Sequence, residues 1–132
     1  MRDFYCAHDV GRAINPNMVH GQIEGGVVQG MGWAIMENLQ IRDGRALNPD
    51  FTDYLIPGSA DVPRVHSLLI EDDPTEHGPF GIKGIGEPSL IPTAAAIANA
   101  IAHATGVRFT HLPITPEQIL LGLGREPVPT PA

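Results

Sequence analysis

The sequence predicts an α+β fold: a short mixed sheet, two main helices at about 16–37 and 89–105, and a short C-terminal helix. Three observations carry this. An apolar stripe (Val19, Ile23, Val27, Met31, Ile35) repeats every four residues behind Asn15-Pro16. Short runs at Asp3–Ala7 and Val65–Ile70 have strand composition, and Asp43-Gly44 sits between two further short runs as a hairpin turn would. Small, mostly apolar residues then fill 89–105, closed by Gly106.

Each element has a local reason. Val10-Gly11-Arg12 turns the chain after the first strand. Asn15 is a good N-cap, and Pro16 fits the first helical position, where a missing N–H costs nothing. Leu39–Arg42 and Arg45–Leu47 flank the Asp43-Gly44 turn. Residues 51–63 read as a loop rich in turn formers, and 71–79 as an acidic exposed loop. Thr115-Pro116-Glu117-Gln118 is a capping box that opens a helix over 116–121. The organisation expected is one domain over 1–125 and a disordered Pro-rich tail over 126–132.

The first helix carries an unusual load of glycine: Gly21, Gly25, Gly26, Gly30 and Gly32. Each costs about 0.5–1 kcal/mol relative to alanine, so close approach of a backbone or ligand is the expected compensation. Gly21/Gly25 and Gly26/Gly30 are i,i+4 pairs and form flat strips. His20, Gln22, Glu24 and Gln29 in the same span exclude a membrane-spanning role for these strips.

Composition narrows the function further. A formal charge of −7 and a single lysine, Lys83, leave no basic stripe for nucleic acid or anionic membrane. The one cysteine, Cys6, excludes an internal disulfide framework and reads as a small buried side chain. Six scattered histidines have no metal-ligand spacing, so no protein-ligated metal is expected. Neither a Walker A motif nor a strand-linked Gly-x-Gly-x-x-Gly is present.

The most informative stretch is Gly81-Ile82-Lys83-Gly84-Ile85-Gly86-Glu87-Pro88. A loop nearly free of side chains comes close to a ligand easily, and Pro88 biases Glu87 towards an extended backbone. Such a loop displays a carboxylate as a catalytic base is displayed; taken alone, it also reads as a connector with a solvated glutamate. Lys83 could meet an anion, lower the pKa of Glu87 or simply be solvated. Gln29, on the glycine-flattened helix, can both donate and accept hydrogen bonds, and a surface glutamine is the plain alternative.

Three ordered segments (Asp9 to Pro16, Gly21 to Gly32 and Gly81 to Pro88) resemble the molybdenum hydroxylases, the xanthine dehydrogenase and aldehyde oxidase type, at the C-terminal end of the molybdopterin-binding large subunit. Thr115-Pro116-Glu117 resembles the closing segment of that subunit. The resemblance implies an oxidoreductase that hydroxylates N-heterocycles or aldehydes, with Glu87 as general base on a Mo-bound oxygen. It further implies that Gln29 and the backbone of Lys83, Gly84, Ile85 and Gly86 lie along the pterin, with the metal held by cofactor sulfurs and not by side chains. The large subunit of that family is several times longer. The chain is therefore expected to be one cytoplasmic piece of a larger enzyme, inactive alone and holding no molybdopterin tightly by itself. Its implied partners are the remainder of the subunit, iron–sulfur and FAD subunits or domains, and a small-molecule substrate, with no nucleic acid or membrane; a homo-oligomer is left open. A non-catalytic remnant or an oligomerising structural fragment is the competing reading.

Overall fold

The computed structural model describes residues 1–124, so the tail expected over 126–132 lies outside the described residues. The elements run β1 (Asp3–Asp9), α1 (Pro16–Ile35), β2 (Ile41–Arg42), β3 (Arg45–Ala46), β4 (Arg64–Ile70), a 3-10 turn (Pro79–Gly81), α2 (Thr93–Thr105) and α3 (Pro116–Gly122). The α+β class holds, with two small two-stranded sheets, β1–β4 parallel and β2–β3 antiparallel.

The chain divides into two compact units, 1–30 with 57–93, and 31–56 with the segment from 94 onward. Neither unit is contiguous: the divisions fall at Gly30–Met31 in α1, at Ile56–Pro57 in the loop between β3 and β4, and at Thr93–Ala94 in α2.

In the first unit, β1 pairs with β4 in register from Asp3 opposite Arg64 to Asp9 opposite Ile70. Alternation along the pair sends Phe4, Cys6, Val65 and Leu69 to one face, where they pack with Val19, Ile23 and Val27 of α1. Ile23 and Val27 are fully buried. The backbone N–H of Met18 donates to Asn15 Oδ1 at 3.2 Å, which makes Asn15 the N-cap of α1. Gly26 and Gly30 take the 89–93 segment against the helix: a Cβ on Gly26 would collide with Ser89, and one on Gly30 would lie 2.6 Å from Thr93 Cβ.

In the second unit, Met31, Ala34, Ile97 and Ile114 are buried. Ala34, not Ile35, faces inward because a four-residue repeat drifts about 40° per step from the 3.6-residue turn. The Ile114 N–H donates to the Ala34 carbonyl at 2.7 Å. Asp43 and Gly44 both have positive φ (50° and 74°), as a two-residue hairpin turn requires. Thr115 and Gln118 form the reciprocal capping box at the start of α3.

Two helix bounds differ from expectation. α1 stops at Ile35, where the Gly32 carbonyl takes the N–H of Met36 (2.9 Å) and also that of Glu37 (2.8 Å), a five-residue bond that widens the last turn and ends the regular ladder. α2 begins at Thr93, not 89, because Pro92 disfavours helical backbone at Ile91. Residues 87–91 make a separate turn, in which the N–H groups of Leu90 and Ile91 donate to the Glu87 carbonyl.

Candidate functional site

The loop from Gly81 to Glu87 is anchored at both ends. At its start, the Lys83 N–H donates to the Val10 carbonyl at 3.0 Å. Lys83 Nζ donates to Asp9 Oδ2 at 2.6 Å and to Asp73 Oδ2 at 3.2 Å. Gly11 sits at φ 64° against the Gly81 carbonyl, where any Cβ would collide, so this turn requires glycine. The Gly11 N–H donates to Asp9 Oδ1 at 3.0 Å. At the far end, Gln22 Nε2 of α1 donates to the Gly86 carbonyl at 2.7 Å. Between the anchors, Ile85 packs on the β1–α1 core.

Glu87 therefore emerges directly after a backbone group that is tied to α1. Its carboxylate is exposed, and no ion pair to it occurs among the described residues. Gln29 is exposed on the same helix, seven residues after Gln22. Seven residues are about two turns, or about 10 Å of rise, so Gln22, Gly25 and Gln29 share one side of α1. The structure thus brings the Glu87 loop to the Gln22 end of that side, with Gln29 farther along it. The lysine ammonium is turned to Asp9 and Asp73, an arrangement that makes the Lys83 side chain a structural tie of the loop.

The glycines separate into two groups. Gly11, Gly26, Gly30 and Gly81 are demanded by this chain, through positive φ or a crowded neighbour. Gly21, Gly25, Gly84 and Gly86 are not: none has positive φ, and a Cβ on any of them would meet nothing within 4 Å. These four lie on α1 and on the loop that Gln22 joins to it. They preserve open space along backbone that the fold itself does not use.

The remaining chemistry is quiet. Cys6 Sγ lies 3.3 Å from His8 Nε2, and burial pushes the thiol pKa up and that of His8 down, which favours a neutral pair. Cys6 is thus expected to react with iodoacetamide at pH 7.5 more slowly than a free cysteine, and faster only on unfolding; labelling followed by mass spectrometry checks this. Among the described residues, no group of three His, Cys, Asp or Glu could hold a metal ion, and no helix is long and apolar enough to cross a membrane.

Asp9 is held below the usual carboxylate range, chiefly by its hydrogen bond from Lys83 and then by the Gly11 N–H. Its contribution to the folded state is present above its unfolded pKa of about 3.9 and is lost as pH falls through the lower folded value. Protection of the amides in 81–87, taken against the intrinsic exchange rate at each pH, is therefore expected to fall on acidification below about pH 4, and Asp9→Asn to remove most of that dependence; protection factors at pH 6 and pH 3 measure it.

Gln22 and Asp9 carry much of this geometry and are not marked as site residues by the sequence. The signal for Gln22 is its seven-residue spacing from Gln29. For Asp9 it is the presence of only one lysine to be paired.

Residues 1–63 match the family model described as a molybdopterin cofactor-binding domain. The chain is 44% identical over 119 residues to the 6-hydroxypseudooxynicotine dehydrogenase complex subunit gamma of Paenarthrobacter nicotinovorans, covering 88% of this chain and 15% of that one. It is 40% identical over 114 residues to the xanthine dehydrogenase molybdenum-binding subunit of Escherichia coli O157:H7, covering 85% and 15%. The crystal structure of quinoline 2-oxidoreductase from Pseudomonas putida 86 superposes with a TM-score of 0.82 at 37% identity, over 96% of this chain and 16% of that one. The chain thus spans about one-seventh of the length of the curated relatives it matches. With its matching domain model and these relatives, this chain belongs to the molybdenum hydroxylase family, as a part of the molybdopterin-binding subunit.

Proposed function

We propose that this chain is the base-bearing, C-terminal piece of a molybdenum hydroxylase that oxidatively hydroxylates an N-heterocycle or an aldehyde, with Glu87 as its general base. The observation that carries the reading is the open quartet Gly21, Gly25, Gly84 and Gly86, beside Glu87, in a chain whose own packing gives no reason for those four glycines. Bare backbone at these four glycines, with open space where each Cβ would stand, fits close approach by a flat, extended cofactor. Molybdopterin, when bound, supplies the two-electron oxidation that converts a substrate C–H bond into C–OH.

The chain's own residues do the rest. Gln29 offers an amide donor and acceptor along the open side of α1, and the backbone of Lys83, Gly84, Ile85 and Gly86 offers its remaining N–H and C=O groups, the Lys83 N–H and the Gly86 carbonyl being already engaged with Val10 and Gln22. Gln22 and the Asp9–Lys83–Asp73 pairs fix both ends of that backbone, so the Glu87 carboxylate starts from a defined position. An exposed carboxylate free of an ion pair can accept a proton at Oε1 or Oε2 during turnover and return it to water afterwards. The remainder of the subunit, together with iron–sulfur and FAD partners, completes the enzyme in this reading.

The test is a transplant. Residues of this chain replace the matching 114-residue segment of the Escherichia coli O157:H7 subunit, in one continuous polypeptide. The chimera is expected to load molybdenum and pterin and to oxidise xanthine; a chimera that folds but takes up neither contradicts the proposal.

A further inference from the structure

The second unit holds a polar hollow that the Glu87 chemistry does not use. Its volume is about 200 Å³, and Arg108, Phe109, Thr110, His111 and Gln118 border it. Four of these five side chains can donate hydrogen bonds. No carboxylate borders the hollow, in a chain whose formal charge is −7. A cation would meet no negative ligand there, and an apolar molecule would meet a single aromatic ring.

Neighbouring groups hold the donors in place. Arg108 Nη1 donates to Asn99 Oδ1 of α2 at 3.0 Å, and no ion pair to Arg108 occurs among the described residues. That bond orients the guanidinium and leaves its other N–H groups to donate elsewhere. The capping box does the same for Gln118. Its Oε1 accepts from the Thr115 N–H at 3.3 Å, so Nε2 is the end left to donate. Thr110 Oγ1 lies 3.2 Å from His111 Nδ1. Should the imidazole donate in that pair, the hydroxyl proton is left over; should the hydroxyl donate, the proton on Nε2 is. Either tautomer thus keeps one donor. Finally, α3 lies close on 107–109: a Cβ on Gly122 would stand 3.0 Å from Val107 Cγ1 and 3.3 Å from Phe109 Cζ. This contact fixes the helix bearing Gln118 against the segment bearing Arg108.

We propose that the hollow binds a phosphate-type oxyanion through Arg108, Gln118 and the Thr110–His111 pair. Sites for drug-sized ligands run to about 300–1,000 Å³, so this smaller hollow suits the anionic group itself and not a whole nucleotide. The guanidinium supplies the charge and a planar fork of N–H groups that matches phosphate oxygens. A tetrahedral oxyanion also has an oxygen for each of the three donor groups, where a carboxylate has only two oxygens. Inorganic phosphate and a phosphomonoester offer the same chemistry. The site is independent of the proposed reaction, since none of its residues belongs to the Glu87 loop or to α1.

The experiment follows the 15N NMR spectrum of the full chain at pH 7.5 while inorganic phosphate replaces chloride at constant ionic strength. Saturable shifts are expected at the Gln118 side-chain amide, at Arg108 Nε and at the backbone amides of 108–111. Glycerol phosphate then separates the sources: tighter binding than inorganic phosphate assigns the site to an ester, weaker binding to the free ion, and either result supports the proposal. Gln118→Glu keeps an acceptor for the capping box and puts a negative charge in place of the donor. It is expected to weaken binding by about tenfold or more, the worth of a charge-assisted hydrogen bond, with the melting temperature near parent. Arg108→Met is expected to do the same and Arg108→Lys to lose less, a contrast that stands should the Gln118 variant fail to fold. Shifts that are absent or stay linear in phosphate overturn the proposal. So does an unchanged half-saturation in Gln118→Glu and Arg108→Met, or acetate that binds as tightly as phosphate.

Discussion

Glu87→Gln in the chimera is expected to lower xanthine turnover by about 10²–10⁴-fold while molybdenum and pterin content stay at the parent level. The amide keeps the size of the side chain and removes its ability to take a proton. Because Glu87 is exposed and engaged in no ion pair among the described residues, the substitution has little folding energy to disturb. The fall should therefore appear in kcat, with KM and melting temperature close to parent. Unchanged turnover would remove Glu87 from the chemistry. Loss of molybdenum together with turnover would make it a structural residue.

Alanine at Gly26 or Gly30 is expected to destabilise the isolated chain by about 1–3 kcal/mol, the usual range for overpacking, although helix propensity alone predicts a gain of about 0.5–1 kcal/mol. Collision outweighs propensity because neither neighbour can swing away. Ser89 and Thr93 are fully buried, and Thr93 Oγ1 donates to the Ser89 carbonyl at 2.7 Å. Gly21→Ala and Gly25→Ala, on the same helix with no neighbour within 4 Å, should show the opposite sign. Urea denaturation of the four single variants checks the contrast; destabilisation by all four would mean that the open pair is not open.

Local chemistry was legible in the residues. Asn15 caps α1, Thr115 and Gln118 close the capping box, and Asp43-Gly44 turns the hairpin, each within four residues of chain. The Ser89 start for α2 failed at Pro92, where the steric demand on the preceding residue overrode a favourable small-residue run. Ties between distant segments carry no such pattern. Lys83 meets Asp9 across 74 positions, and Gln22 meets Gly86 across 64. Sequence spacing likewise groups Gly21/Gly25 and Gly26/Gly30 as equivalent strips. Only the packing of 89–93 shows that one strip is filled and the other left free.

That difference is also where the account is most exposed. Gly25→Leu leaves a good helix former on the open side of α1, so the isolated chain should melt at or above the parent temperature. In the chimera, the same side chain would occupy the space assigned to the pterin. Molybdenum and pterin per polypeptide, measured on purified Gly25→Leu chimera, should fall to a small fraction of parent. Full cofactor content in a folded Gly25→Leu chimera would show that this face of the helix holds no cofactor.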